Sequence, residues 1–437
     1  LIIMGLCKLG VLIKYIPYTI TTGFTTGIAI TILIGQLKDF FGLTFAEGTH
    51  AVETMEKLSA VAASFGTINL QSVIVGVVSI AVLILWPKIS KKIPGSLIVV
   101  VLGVVLVKGL KMQVNTIGDL YTISRAAPQF AMPSFDFATV RELLPSAFTI
   151  AILAGIESLL SCVVSDGMIS DRHNSNTELI AQGAGNILSG LFGGIPATGA
   201  IARTAANVKN GGRSPVAGMV HAVVLLLVLL VLMPYAAWIP MPVIASVLFM
   251  VAYNMSEWRQ FVKIYKTAPK SDIAVLILTF VLTVMFDLVV AIKIGLLVAV
   301  LLFMKRMADV TYIRPWAKHG EDSGRYKKIP AGTQVYEING PMFFATSDIM
   351  SSIAIKEGVK VVIFRMKNIP AIDISALRSL KKVVSLCKKK NIRVLFSHVN
   401  EQPMNVMKKS GFYDAVGAEN FLPNIDETLS VARELCS

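Results

Sequence analysis

Two clusters in this sequence have residue types and spacing suited to holding a small charged species. The first is GGIPATGAIARTAANVKNGGRSP, from Gly193 to Pro215. Pro196 and the glycines end one apolar segment and permit irregular backbone, and Thr198 can cap a new helix whose N-terminus lies well inside a membrane. Free N–H groups at such an end, together with the positive end of the helix dipole, attract anions. Arg203 sits about one turn into that helix, where a cation is disfavoured by the dipole and costly in lipid, so it makes better sense beside an anion. The alternative is a glycine-rich re-entrant turn packed on neighbouring helices, with Arg203 reaching the headgroups.

The second cluster is Glu157 with Ser161, in the apolar span AILAGIESLLSCVVSD. A lone carboxylate costs at least about 2.5 kcal/mol at the bilayer centre, so it should face a cavity or a partner. Ser161, four residues on, shares its helical face. The pair would form a polar wall of the site, with Glu157 binding a proton or cation that travels with the anion. The alternative is a structural ion pair between Glu157 and Arg203, and sequence alone leaves both open.

Residues of this kind need elements that hold them within a bilayer, and the composition supplies these. Of 437 residues, 54% are hydrophobic and only 16% charged, with a mean hydropathy of +0.68. That excess of apolar surface calls for lipid. Long uncharged runs fill the chain to about Met304, and charges become frequent after Lys305. This gives a membrane domain over residues 1–306, a linker over 307–332 and a second domain over 333–437. The chain opens on Leu1 in an already apolar stretch without a basic leader, which reads as truncation.

Apolar segments fall near Ile16–Leu37, Leu70–Trp86, Pro94–Val107, Pro145–Ser165, Val216–Tyr235, Met241–Met255, Ile273–Phe286 and Leu288–Met304. Two shorter, small-residue segments lie at Glu178–Gly193 and Thr198–Val208. One set of alternating connections carries Lys8 and Lys14, then Lys88, Lys91 and Lys92, then Lys209 and Arg213, then Arg259, Lys263, Lys266 and Lys270, then Lys305 and Arg306. That set marks the cytoplasmic face. The opposite connections hold Glu47, Glu53 and Glu56. The alternation holds if the two short segments make one there-and-back excursion, as half-membrane elements. Tyr15-Ile16-Pro17 and Trp238-Ile239-Pro240 open triplets of opposite orientation, a pattern compatible with an inverted repeat.

From about Thr333 short β-branched runs alternate with amphipathic stretches. The expected strands are Gln334–Ile338, Val359–Arg365 and Ile392–Ser397; the expected helices are Ser347–Ile355, Ile374–Lys389, Gln402–Ser410 and Ile425–Leu435. This describes a small βαβα domain.

The motifs YTITTGFTTGIAI, IESLLSCVVSDGM and ELIAQGAGNILSGLFGGIPATGAIARTAANV resemble the SulP sulfate permeases, called solute carrier family 26 in animals, along nearly all of the chain. The resemblance implies an α-helical polytopic membrane domain with fourteen segments in two inverted repeats, divided into an anion-carrying core and a gate. By that comparison the fold here is partial, with the first three segments missing. The family holds its anion between the third and tenth segments, with the eighth alongside. The eighth would be Pro145–Ser165 and the tenth Thr198–Val208, so Glu157, Ser161, Ala202 and Arg203 map to site positions, with Thr198 and Gly199 opening the half-helix. The C-terminal part looks like an α/β STAS domain, related to anti-sigma-factor antagonists. Its loop reads NIPAIDISALRSL, with Asp373 at a helix start as an N-cap. Where the antagonists are phosphorylated on serine, this chain has Ile374, followed by Ser375.

The implied function is secondary active transport of a small inorganic or carboxylate anion, sulfate or bicarbonate first, coupled to H+ or Na+ by an elevator-like movement of core against gate. The other reading is a voltage- or anion-responsive membrane scaffold signalling through the STAS domain. The resemblance also implies a homodimer in the plasma (inner) membrane with a cytoplasmic STAS domain open to a cytosolic partner. The net charge of +14 lies mainly in short loops and the C-terminal domain, so membrane topology explains it better than nucleic acid. No Walker loop, dinucleotide fingerprint or metal-ligand cluster is present. No enzyme activity or cofactor is expected beyond the coupled ion, and the four cysteines have no zinc or disulfide spacing.

Overall fold

A computed structural model describes residues 1–11, 16–46, 48, 51–90, 93–122, 127–133, 136–286, 288–316 and 329–437. Lys14, Tyr15, Glu47, Lys91 and Lys92 lie outside them, so neither the Tyr15 end of the triplet pattern nor those loop charges have a structural counterpart. The chain divides into two compact units, Leu1–Ala299 and Val300–Ser437.

The first unit is helical: α1 Ile2–Leu6, α2 Tyr18–Phe41, α3 Thr54–Ala63, α4 Leu70–Ile89, α5 Gly95–Gly109, α6 Ile117–Leu120, α7 Phe137–Ile169, α8 Ser175–Leu191 and α9 Ile201–Lys209. There follow α10 Val216–Leu227, a π-helical turn Val228–Leu232, α11 Met233–Ala236, α12 Met241–Met255, α13 Trp258–Thr267, α14 Lys270–Met285 and α15 Leu288–Asp309, whose last turns lie in the second unit. Tyr18–Phe41, Leu70–Ile89, Phe137–Ile169 and Val216–Ala236 are long and apolar enough to cross a membrane, and Gly95–Gly109 is a shorter apolar helix. Several helices depart from the sequence expectation: α7 starts at Phe137 rather than Pro145, and α6 was not expected. The amphipathic α13 occupies the connection read only as a basic loop, and α3 forms in the acidic connection, where Glu53 and Glu56 make a reciprocal capping box.

Packing sorts these helices into two groups. In one, α2 packs on α12, α14, α4 and α13, α12 also meets α4 and α5, and α3 leans on α2 and α14. Small residues let the backbones approach: an added methyl at Gly27 would lie 2.6 Å from the Thr283 Cβ, and one at Gly23 2.8 Å from the Leu276 carbonyl. Close backbone packing of this kind replaces the hydrophobic drive that lipid removes. Ser246 on α12 donates to the Gly76 carbonyl of α4 at 3.0 Å. In the other group α7 packs on α8 and α9, and α1 packs on α8. An added methyl at Gly5 would meet Ile180, and one at Gly183 would meet Ile2, both at 2.6 Å.

The second unit is a five-stranded sheet in the order β1 Tyr312–Pro315, β2 Thr333–Asn339, β3 Val361–Asn368, β4 Arg393–Ser397, β5 Phe421–Leu422, antiparallel at β1–β2 and parallel elsewhere. Its helices are α16 Ile374–Lys389, α17 Glu401–Lys409, α18 Phe412–Val416 and α19 Ile425–Cys436. Alternate residues of the strands face different cores. Tyr336, Phe364 and Phe396 pack with Leu377, Leu380, Met407 and Phe412; Val335, Ile363 and Leu395 pack with Leu429 and Ala432. Both faces are covered, so β3 opens on four consecutive buried apolar residues, Val361 to Phe364.

Three details correct the sequence reading of this unit. The stretch read as a linker contributes the edge strand β1. The helix expected over Ser347–Ile355 is a 3-10 run over Phe344–Ser352, starting earlier because the Asp373 carboxylate accepts from the Phe344 N–H at 2.8 Å and Thr346 Oγ1 from the Phe343 N–H at 2.9 Å. The short β5 and α18 were not expected. Asp373 does cap α16, its Oδ1 accepting from the Ala376 N–H at 2.8 Å.

Candidate functional site

The extended segment between α8 and α9, from Gly194 to Ala200, is held from two sides. From α7, Ser158 Oγ accepts from the Gly199 N–H at 3.1 Å and donates to Gln182 Oε1 at 3.2 Å. From α8, Gln182 and Asn186 both donate to the Ala197 carbonyl. Ser161 Oγ donates to Thr204 Oγ1 at 2.7 Å, tying α7 to α9. The Thr204 hydroxyl thus accepts and keeps its own hydrogen to donate.

Thr198 does not cap α9. The helix begins at Ile201 with Ala200 at its N-cap and no side-chain cap, while Thr198 Oγ1 donates to the Ala154 carbonyl at 2.8 Å. Pro196 and the segment's irregular backbone delay the helix, and Thr198 satisfies a carbonyl of α7 instead. The consequence favours the expected chemistry, because the first N–H groups of α9 lack intrahelical acceptors and carry the positive end of its dipole.

A cavity of about 340 Å³ lies against this junction. One stripe of α7, Ser158, Ser161, Cys162, Ser165, Asp166 and Ile169, forms its long wall; Gly199 and Thr204 close one end, and Asp171, Arg172, His173 and Glu178 line the other. Ser158 and Ser161 are buried. At the far end Asp166 Oδ2 accepts from the His173 backbone N–H and sits 2.7 Å from His173 Nδ1.

The predicted residues are therefore only partly gathered. Ser161 and Gly199 line the cavity, and Thr198 braces its edge. Glu157, next to Ser158 on α7, is half-buried and outside the lining, and Arg203 is exposed on α9. Among the described residues no ion pair joins Glu157 to Arg203, so the alternative of a structural pair is not what the fold forms. The side chain of Ala202 lies outside the described features. Sequence reasoning missed Ser158, Thr204, Gln182 and Asn186. Their signal was present as helical spacing: small polar residues three and four apart along α7, and Gln182 and Asn186 four apart on α8. Among the described residues no group of three or more His, Cys, Asp or Glu side chains is placed to hold a metal ion.

Residues 1–279 match the sulfate permease family and residues 326–432 match the STAS domain. The chain is 36% identical over 432 residues to a putative sulfate transporter, YvdB of Bacillus subtilis, covering 98% of this chain and 80% of that one. It is 28% identical over 450 residues to the bicarbonate transporter BicA of a Picosynechococcus strain, covering 99% and 77%. The structure of the murine Slc26a9 anion transporter in the inward-facing state superposes with a TM-score of 0.87 at 20% identity, covering 99% of this chain and 73% of that one, a likeness of fold. The transmembrane domain of a cyanobacterial BicA gives a TM-score of 0.55 at 29% identity over 68% of this chain and 72% of that one.

Proposed function

This chain belongs to the sulfate permease family of multi-pass membrane transporters and carries a STAS domain, and on that premise we propose that it moves a small inorganic or carboxylate anion, sulfate or bicarbonate first, by secondary active transport. It is not an enzyme. The observation that carries the reading is the uncapped N-terminus of α9 beside a polar cavity within the helical unit. N–H donors there, the Thr204 hydroxyl and the dipole all favour an anion, and the volume suits a small ligand.

Glu157 is the candidate for the coupled H+ or Na+, since a carboxylate within a membrane helix beside an anion site is stable only when protonated, paired or screened. The grouping of α7, α8 and α9 apart from the α2, α4, α12 and α14 bundle is the arrangement an elevator-like movement of core against gate would use. A plasma (inner) membrane location, a cytoplasmic STAS domain with a cytosolic partner, and a homodimer complete the proposal; the sign of the loop charges supports the orientation.

The test is uptake of radiolabelled sulfate and bicarbonate into proteoliposomes, with pH and sodium gradients imposed separately. Gradient-driven uptake of either anion is expected and names the coupled ion. A folded protein that takes up neither anion, nor a dicarboxylate, would shift the reading to a voltage- or anion-responsive scaffold.

A further inference from the structure

The cavity beside α9 opens past three carboxylates, Asp166, Asp171 and Glu178, and one guanidinium, Arg172. A rim of that charge repels the anion the cavity would take. His173 stands among these groups, and imidazole is the side chain that changes charge between about pH 5 and 8.

The contacts of His173 suit either charge state. Asp166 Oδ2 accepts from its backbone N–H at 3.1 Å and lies 2.7 Å from Nδ1, so Nδ1 carries a hydrogen in both states. Nε2 lies 2.9 Å from Ser175 Oγ. A hydroxyl can donate to a bare Nε2 or accept from a protonated one, so the ring takes up or loses its second proton without breaking a contact. Asp, His and Ser here have the connectivity of a hydrolase triad, but the N–H groups of Asn176 and Thr177, which would stabilise an oxyanion next to Ser175, are held by Asn174 Oδ1 at 3.1 and 3.2 Å.

We propose that Asp166, His173 and Ser175 form a proton-binding site at the mouth of the anion cavity, and that protonation of His173 strengthens anion binding there. The proposal rests on the transport reading for what the cavity holds. The groups facing His173 are Cys162 and Asp166 from α7, Asp171 and Arg172 from the connection, and Glu178 from α8; α9 contributes the uncharged Thr204. The turn after α1, whose Gly10 packs on Ser175, carries Cys7 and Lys8, both exposed and outside the cavity lining. Asp166 lies two helical turns beyond Ser158, about 12 Å along the axis. Across a cavity with protein walls, a unit charge at that range changes the affinity for a dianion on the order of ten-fold.

The experiment is equilibrium binding of radiolabelled sulfate to the whole chain in detergent at about pH 5.5 and about pH 8, a range over which sulfate keeps its charge. Sulfate should bind the unmodified protein on the order of ten-fold more tightly at the lower pH. His173→Gln should show the weaker affinity at both values, with His173→Asn as the second variant should the first fail to fold. Glu178→Gln should tighten binding at both values and preserve their ratio. A ratio near one in the unmodified protein, or an unchanged ratio in a folded His173 variant, overturns the proton site while leaving the anion site standing. No sulfate binding at either pH overturns sulfate binding controlled by His173 at this cavity, and leaves bicarbonate and dicarboxylates to the uptake test.

Discussion

Asn186 grips the peptide of Ala197 by both polar ends: its Oδ1 accepts from the Ala197 N–H at 2.7 Å and its Nδ2 donates to the Ala197 carbonyl at 2.9 Å. This clamp fixes the start of the non-helical segment that places the N-terminus of α9. Asn186→Ala should cost about 1–3 kcal/mol, from two lost hydrogen bonds and a peptide left partly unsatisfied. Asn186→Leu should do no better despite filling the space. Thermal unfolding in detergent together with sulfate affinity checks this, and both should fall.

Gly199 is tight against Ser158. An added methyl would lie 3.1 Å from Ser158 Oγ and 3.3 Å from its Cα, closer than ordinary contact. Gly199→Ala should therefore displace the hydroxyl that accepts the Gly199 N–H and weaken sulfate binding several-fold. Ser158→Ala should relieve part of the clash, so the double variant should lose less than the sum of the two single losses in a double-mutant cycle.

Glu157 and Arg203 are not paired, so their removal should act on different quantities. Arg203→Ala should weaken anion binding, while Glu157→Gln should keep binding and lose stimulation of uptake by a proton or sodium gradient. Their coupling energy for sulfate binding should stay below about 0.5 kcal/mol. A coupling of several kcal/mol, as for a broken buried pair, would show that the two charges do meet during transport.

Asp373 uses both carboxylate oxygens, one for the first turn of α16 and one for the Phe344 N–H. Asp373→Ala should cost about 1–3 kcal/mol, and Asp373→Asn, which keeps one acceptor, less. Hydrogen exchange should quicken at the first turn of α16 and at Phe344 in both variants, more in the alanine.

Burial pushes the Cys387 thiol above its ordinary range, and the Tyr336 hydroxyl is raised by burial as well. Both groups are held neutral in the fold, so their contribution is intact below the pKa of the unfolded chain and declines as pH rises from there toward the folded value. The second unit should lose stability above about pH 9, where free thiols ionise. Cys387→Ala should lower stability near neutrality by the cavity it leaves, yet flatten the alkaline decline. Denaturant unfolding followed at about pH 7 and about pH 10 measures both effects.

Much of the architecture was legible in the sequence because it rests on local physics. A run of apolar residues long enough to span lipid must form a helix, since no water is present to satisfy its backbone, and the run read at Leu70–Trp86 is the helix Leu70–Ile89; the shorter Met241–Met255 helix was placed to the residue. Ile374–Lys389 was equally plain from its amphipathic period and its capping aspartate. The strand β1 and the 3-10 run at Phe344 were not, because each depends on a partner distant in the chain: β2 for one, the Asp373 carboxylate for the other.

The candidate site divides the same way. Sequence alone determined that a glycine- and proline-broken segment would start a helix inside the membrane unit, placed from Thr198 where the structure begins it at Ile201, and that Glu157 and Arg203 would be costly there, since those follow from residue type and lipid. Only the tertiary structure decided that Thr198 serves α7 rather than α9, that Ser158, Gln182 and Asn186 hold the segment open, and that Asp166 and His173 stand at the cavity mouth. Hydrogen-bond partners are chosen by which faces of α7, α8 and α9 meet, and that choice is made by packing across tens of residues; spacing along one helix marks a polar face but does not assign its partner.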